Sequence, residues 1–353
     1  MNVKKILSLA ASIIKLFIII LLFSSNSKAE EKNIKYYSAD RGILSLMYHR
    51  FNESKYPSTN IQMDIFKQQI DIIRKLKYNF YDPKSLEKNF HTPKIEKKIL
   101  ITIDDAFSSF YEFAWPYLKV EKIPFILFVS TNAVGKNGYM TWDQIKELEK
   151  EATVYIGNHS HTHDYLVNLK NDDFITDIDT ASKIFNENLG YDPIFFSYPF
   201  GEYSEFIKKY VSKNFKFSFG QHSGVIDINK DPYELPRFPI NEKYGDLKRF
   251  EFLIKLLPLQ FKKLIPEEKY LIFTNNPPQL SIEFFKEQKN LENINCFSDV
   301  GNKWGKSKTN LHRNTLNIEF RDKFIFRRGR VNCSLNDNGK WRWFGIQFSI
   351  EQD

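Results

Sequence analysis

Two short stretches concentrate the residue types that can do acid–base or metal chemistry. Thr102-Ile103-Asp104-Asp105-Ala106-Phe107 puts two adjacent carboxylates directly after an apolar run. Adjacent residues leaving a strand point in different directions, so one carboxylate can bind a metal while its neighbour stays free as a base. The ordinary alternative for an Asp-Asp pair is a helix N-terminus, where free N–H groups and the dipole favour acids. The second stretch, Asn158-His159-Ser160-His161-Thr162-His163-Asp164, holds three of the seven histidines within five residues. Neutral imidazole is a common zinc ligand. His159 and His163, four apart, fall on one side of a helical turn or roughly of a strand, and His161 is an alternative ligand. Two histidines with one Asp make a set that leaves metal positions open. Such a site can acidify water and polarise a carbonyl, which is the chemistry of amide or ester hydrolysis, with a nearby carboxylate as base and a histidine as acid. A solvated polar loop is the plainer reading of the histidines.

These residues need strands to present them. Short runs rich in β-branched and aromatic residues at 43–48, 98–103, 126–130, 153–157, 194–198 and 217–220 read as strands, with a weaker one at 78–81. Helical patterns lie between them. Phe66, Ile70, Ile73 and Leu76 share a face, Thr141 and Gln144 form a capping box, and Phe174, Ile178, Ala181, Phe185 and Leu189 form another apolar stripe. Repeated strand–helix units predict a parallel sheet with helices outside, a barrel or a doubly wound sheet. The unusual residues then fall at one end of the strands: His49, Asp104-Asp105, His159, Pro199-Phe200-Gly201 and Gln221-His222. In α/β barrels the loops after the strands converge on the active site. After residue 245 a basic, apolar stretch at 247–264 suggests a connecting helix. Punctuated β-like runs at 280–284, 315–320, 323–326, 330–333 and 342–350 predict a small all-β domain.

The segments Thr102 to Asp105 and His159 to His163 resemble the first two motifs of the NodB-homology polysaccharide deacetylases, the family-4 carbohydrate esterases. Those enzymes carry a Thr-Phe-Asp-Asp-Gly-like motif and then His-(Ser/Thr)-x-x-His. Ser197-Tyr198-Pro199-Phe200-Gly201 resembles their third motif, Arg-Pro-Pro-Tyr-Gly, and Leu46-Met47-Tyr48-His49 resembles a branch whose late motifs are permuted to the N-terminus. The resemblance covers about residues 40–245. It implies a distorted (β/α) barrel, with the small all-β domain lying outside the matched region. It also implies metal-dependent removal of N-acetyl groups from an N-acetylhexosamine polymer. Asp104 would be the base that activates the attacking water. Asp105, His159 and His163 would hold the divalent metal, usually zinc in this family. The backbone N–H of Phe200, beside Tyr198, would help hold the oxyanion, and His49 would be the general acid, with His222 as its rival. Ser197 stands where the family often has an Arg that holds the base, and Arg237 is the candidate to supply that charge from another strand end. Ala106 replaces the usual Gly.

The rest of the sequence sets the context. The first 29 residues read as a secretory signal: Lys4 and Lys5, an apolar stretch from Ile6 to Phe23, and small residues before Glu30. Export to the periplasm or beyond follows, with an uncleaved N-terminal anchor as the alternative. The domain plan is a signal at 1–29, a deacetylase-like domain at 40–245, a connecting helix at 246–264 and a small β-sandwich at 265–353. Losing the signal removes Lys4, Lys5, Lys15 and Lys28 and no acid, taking the formal charge from +8 to +4. So mild a surplus does not call for nucleic acid. Cys296 and Cys333 are the only cysteines. Export makes a disulfide between them the expectation, and two buried thiols the alternative. Aromatics near the motifs, Tyr48, Tyr139, Trp142, Tyr198 and Tyr203, either line a glycan groove or pack the core. The Trp-rich stretch from Gly339 to Gly345 poses the same choice in the last domain. Three competing functions stay open: a non-catalytic glycan-binding protein on a decayed barrel, an O-acetyl esterase, and a glycoside hydrolase, which leaves the histidines unexplained.

Overall fold

Strands buried on both faces must lie in a parallel sheet under helices, and the strands nearest the chemistry are of this kind. The computed structural model describes Tyr36 and residues 41–90, 98–227 and 229–352, so the signal segment lies outside the described residues. Eight strands form the main sheet: β1 Ile43–Tyr48, β2 Asn79–Phe80, β3 Lys98–Ile103, β4 Phe125–Val129, β5 Val154–Asn158, β6 Phe195–Ser197, β7 Phe217–Phe219 and β8 Phe238–Pro239. Every pairing is parallel, in the order β8-β1-β3-β4-β5-β6-β7, with β2 alongside the start of β3. The segment after β7 brings the two edges together, since Leu235 bridges Phe219 and Phe238 pairs with Leu46. The sheet therefore curls into a distorted barrel, and Arg237 sits at its seam.

Period-two alternation assigns the two faces of each strand. Ile99, Ile101 and Ile103 of β3 and Leu127 and Val129 of β4 join the cluster under the outer helices. Leu100, Phe128, Phe195, Phe217 and Phe219 pack inside the curl. Gly157 of β5 lies on this inner row. A Cβ there would sit 2.4 Å from the Phe128 ring, so only glycine lets that ring fill the barrel. The helices follow their apolar stripes: α1 Met63–Lys75 buries Phe66, Ile70 and Ile73, α2 Trp142–Glu149 starts at the Thr141 capping box, and α3 Asn171–Leu189 buries Phe174, Ile178, Ala181 and Phe185.

The stretch expected as a connecting helix over 246–264 is helical only at α4, Leu247–Leu253. Its remainder forms the strands Leu257–Pro258 and Phe261–Ile265, which pair with the C-terminal sheets. The proline and the exposed Lys262 and Lys263 suit an edge better than a helix interior. The C-terminal region has two sheets. One is built on the hairpin β9 Arg328–Asp337 and β10 Lys340–Ile350, extended by Asn295–Ser298 and Gly305–Lys306. The other runs Phe261–Ile265, Leu280–Phe284, Thr315–Glu319, Lys308–His312. Their inward residues, among them Ile282, Phe284, Ile318, Val331, Phe344 and Phe348, share one core. The run at 323–326 is not a strand. Only Phe324 of it is buried, while Ile325 and Phe326 are exposed. Cys296 and Cys333 face each other across paired strands and are joined in a disulfide.

Replacing Gly157 by Ala forces the Phe128 ring or β5 to move. The expected cost is about 1–3 kcal/mol, read as a lowered urea midpoint. An unchanged midpoint would mean that the interior has slack at this point.

Candidate metal and catalytic site

The inward row of β3 runs Leu100, Thr102, Asp104, and that parity decides what the Asp pair does. Asp104 continues the row and is fully buried at the top of the barrel interior. Asp105 leaves it through a left-handed turn, with φ of 73° at Asp105 and 53° at Ala106. Ala106 thus takes a conformation that glycine reaches without strain. The carboxylates diverge, as expected of adjacent residues at a strand end.

Arg237 meets Asp104 from the barrel seam. Its Nη1 donates to Asp104 Oδ1 at 2.6 Å and its Nη2 to Oδ2 at 2.8 Å. Further bonds run from Nη2 to Ser197 Oγ at 2.8 Å, from Nη1 to Thr102 Oγ1 at 3.2 Å and from Nε to the Gly220 carbonyl at 2.9 Å. Arg237 is itself fully buried. Burial alone would raise the Asp104 pKa, but the guanidinium and the nearby His159 outweigh it and hold the carboxyl below its usual range.

His159 continues the inward row of β5, where it is fully buried. Its Nδ1 lies 2.7 Å from the Ser197 carbonyl, an acceptor only, so that nitrogen carries the hydrogen and Nε2 keeps a lone pair. Burial pushes the His159 pKa down to about 4, which keeps the ring neutral. Its Nε2 lies 3.5 Å from Asp105 Oδ1 and 3.8 Å from Asp104 Oδ2, and His163 Nε2 lies 3.2 Å from Asp105 Oδ1. Burial would raise the Asp105 carboxyl, but His163, His49 and His159 pull it well below its usual value.

The histidine loop is braced from two sides. Asp177, buried on α3, accepts from the His161 and Thr162 backbone N–H groups at 2.8 and 2.9 Å and from Thr162 Oγ1 at 2.6 Å. His161 turns away, its Nδ1 2.8 Å from Thr131 Oγ1, and is not a member of the ligand group. Sequence reasoning passed over Asp177. Its signal was an acid one residue from Ile178 on an otherwise apolar stripe.

One ligand atom each from Asp105, His159 and His163 lie within 4.8 Å of one another, the set that the motifs implied. The residues fit a divalent ion on two independent counts. His159 Nε2 is buried without a hydrogen-bond partner, an expensive state for a lone pair unless a cation takes it. A tetrahedral ion with bonds of about 2.0–2.1 Å needs ligand atoms roughly 3.3 Å apart, and the two measured N···O separations to Asp105 are 3.2 and 3.5 Å. Two imidazoles and a carboxylate suit zinc and its transition-metal neighbours better than calcium or magnesium.

A cavity of about 830 Å³ opens from this group, and His49, Phe200 and His222 line it with Asp105 and His163. Phe200 has a left-handed backbone (φ 58°). Its ring stacks on Tyr165 at 4.1 Å and meets the His163 ring edge-on at 4.8 Å. Tyr198, singled out beside Phe200, does not reach the cavity. Its side chain is fully buried, bonded to the Tyr233 carbonyl at 3.0 Å and close to Ser218 Oγ at 3.1 Å, because it falls on the outer row of its strand end. Tyr48 and Tyr203 are likewise core residues, and Trp142 packs edge-on against Phe185. Tyr139 alone of that group lines a small recess beside Asp105 and His163.

Comparison with known proteins agrees with this geometry. A family model described as polysaccharide deacetylase matches residues 91–216. A poly-beta-1,6-N-acetyl-D-glucosamine N-deacetylase of Staphylococcus aureus (strain MSSA476) is 25% identical over 256 residues, covering 64% of this chain and 85% of that protein. Among solved structures, IcaB from Ammonifex degensii superposes with a TM-score of 0.53 at 26% identity, over 61% of this chain and 97% of that one. The Streptococcus pyogenes deacetylase PplD in complex with acetate shares the fold, with a TM-score of 0.55 at 20% identity over 62% of this chain and 99% of that one. The strand-end carboxylate pair, the histidine loop and these likenesses converge: residues 91–216 match the polysaccharide deacetylase family, and the barrel around them is similar to the NodB-homology deacetylases.

Proposed function

We propose that this protein hydrolyses N-acetyl groups on an exported N-acetylhexosamine polymer, with β-1,6-linked poly-N-acetylglucosamine as the leading substrate class. The observation that carries the reading is an ionised, fully buried Asp104 held within 3.8 Å of a ligand nitrogen whose lone pair is free. The substrate class rests on the names of the relatives, and export on the leader-like N-terminus. No described helix is long and apolar enough to cross a membrane.

The roles follow from the geometry. Zinc or a similar ion, held by Asp105, His159 and His163, supplies Lewis-acid activation when bound. Asp104 takes a proton from the attacking water, and its oxygens are oriented for this by the two-pronged contact with Arg237. The Phe200 backbone N–H, presented by its left-handed turn, stabilises the negative charge that develops on the acetyl oxygen. The leaving amine then needs a proton. His49 and His222 both line the cavity. Burial pushes His222 down to about 3, so its ring is neutral in the working range and is a poor donor. His49 is the acid, and the products are acetate and a free amine on the sugar.

Acetate release from N-acetylglucosamine oligomers by the chain starting at Glu30 should require metal, vanish with chelator and return with zinc. Asp104→Asn should lower kcat by about 10²–10⁴-fold, as loss of a general base does. Turnover without metal, or undiminished in the variant, would overturn the reading. Arg237→Lys keeps a charge but loses the fork, so kcat should fall about tenfold or more with little change in KM. Arg237→Ala should also cost about 3–5 kcal/mol of stability, since it leaves a buried carboxylate unpaired.

His222 also makes a pH prediction. Its folded pKa, about 3, lies below the unfolded value, so the unfolded state binds the extra proton between the two. Its contribution to stability is complete above about pH 6.5 and declines as pH falls, at up to about 1.4 kcal/mol per unit. Urea unfolding from pH 7 to 5 should show a shallower slope for His222→Gln than for the parent. Parallel slopes would show that His222 takes up its proton alike in the folded and unfolded chain, against a buried neutral ring.

A further inference from the structure

The cavity over the ligand group is not closed by the barrel alone. Its far wall belongs to the C-terminal sheet: Trp304, Arg328, Arg330, Asn332 and Trp343 line the same space as Asp105 and His163. At about 830 Å³ it is more than one acetylated sugar ring fills, and it lies at the large end of the range for ligand pockets, roughly 300–1,000 Å³.

This wall is built as part of the site. Gln347 of β10 donates from Nε2 to the Phe200 carbonyl at 2.9 Å and to the Gly201 carbonyl at 3.2 Å, so the oxyanion turn hangs on the C-terminal sheet. Glu202, fully buried at the end of that turn, faces Arg327 Nε at 3.2 Å and Arg328 Nε at 3.3 Å. Gly345 packs so closely on the loop carrying His222 that a Cβ would lie 2.2 Å from the Ser223 carbonyl. Three contacts thus fix the wall relative to the reacting centre.

Its surface has the make-up of a sugar-binding face. Trp304 is 46% exposed, so much of its indole stays open where it lines the cavity. The Arg330 guanidinium lies 5.7 Å from its ring centroid, fixed by Asp299, which accepts from both the Arg330 backbone N–H and Nε at 2.6 Å. An exposed indole offers an apolar platform to the C–H face of a pyranose, and the guanidinium beside it offers donors to hydroxyl and acetamide oxygens.

We propose that Trp304, just before the strand Gly305–Lys306, and Arg330 of β9 form a glycan subsite that binds N-acetylhexosamine units next to the one whose acetamide lies at Asp105, His159 and His163. The subsite rests on the deacetylase reading and adds a preference for long, still-acetylated chains. Its occupant is the same polymer, because the cavity runs unbroken from the ligand group to the indole.

The test is acetate release from β-1,6-linked N-acetylglucosamine oligomers of two and six units. For the parent, kcat/KM should be higher on the hexamer. Trp304→Ala should lower the hexamer-to-dimer ratio about tenfold, with the change carried in KM. Phe273→Ala, an exposed residue of the same region away from the cavity, should keep the parent ratio. Calorimetry on the zinc-loaded Asp104→Asn protein provides a second reading that needs no turnover: adding Trp304→Ala should weaken hexamer binding by a similar factor. Equal ratios in parent and variant, or equal affinities, would overturn the subsite and leave the deacetylase reading intact. No acetate from either oligomer would overturn the deacetylase reading, and the calorimetry would then decide the subsite by itself.

Discussion

A fully buried ion pair between Asp104 and Arg237 is the constraint on which the rest of the site depends. Removing two charges from water is expensive, and the pair persists only because nearly every polar atom has a partner: Ser197, Thr102 and the Gly220 carbonyl complete the guanidinium's bonds. Those partners come from β3, from β6 and from the loop after β7, while Arg237 itself lies on the segment that closes the barrel. The pair therefore ties the candidate site to closure of the sheet. The same residues that curl the barrel keep one carboxylate ionised and aimed.

Around that fixed point the backbone is bent where ligands must converge. Asp105, Ala106, Ser160, His163 and Phe200 all have left-handed φ values, which cost non-glycine residues free energy and persist only when their surroundings insist on them. Here the surroundings are named: Asp177 holds the histidine loop, the Ser197 carbonyl fixes the His159 tautomer, and Gln347 holds the turn at Phe200. The grouped ring nitrogens of His159 and His163 are thereby held with little freedom left to lose.

An Arg missing from the third motif is what a decayed, purely binding barrel would show. The structure removes that ground, because Arg237 brings the guanidinium to Asp104 from a different strand end. Ser197, at the vacated position, keeps a part in the arrangement by accepting from Arg237 through its hydroxyl and from His159 through its carbonyl.

The succession of strands along the chain and their buried character were legible in the chain itself, and the family resemblance pointed to Asp105, His159 and His163, which the fold brings together. Each is a local property: runs of β-branched residues make strands, and chemistry at strand ends converges when the strands are parallel. The parity of β3 even separates the two carboxylates, since Thr102 and Asp104 share a face and Asp105 cannot. What lay out of reach of local pattern was decided by closure and docking. Tyr198 looked like a site residue because it stands in the third motif, yet it lies one step from the inward Ser197, and one step along a strand reverses the face. The stretch after 246 read as helix from its composition, but two sheets waiting to be paired drew most of it into strands. Gln347 and Trp304 carry no signal in their own neighbourhoods. They meet the cavity only because a second, separately cored pair of sheets packs on the mouth of the barrel, and contacts spanning more than a hundred residues are set by tertiary packing alone.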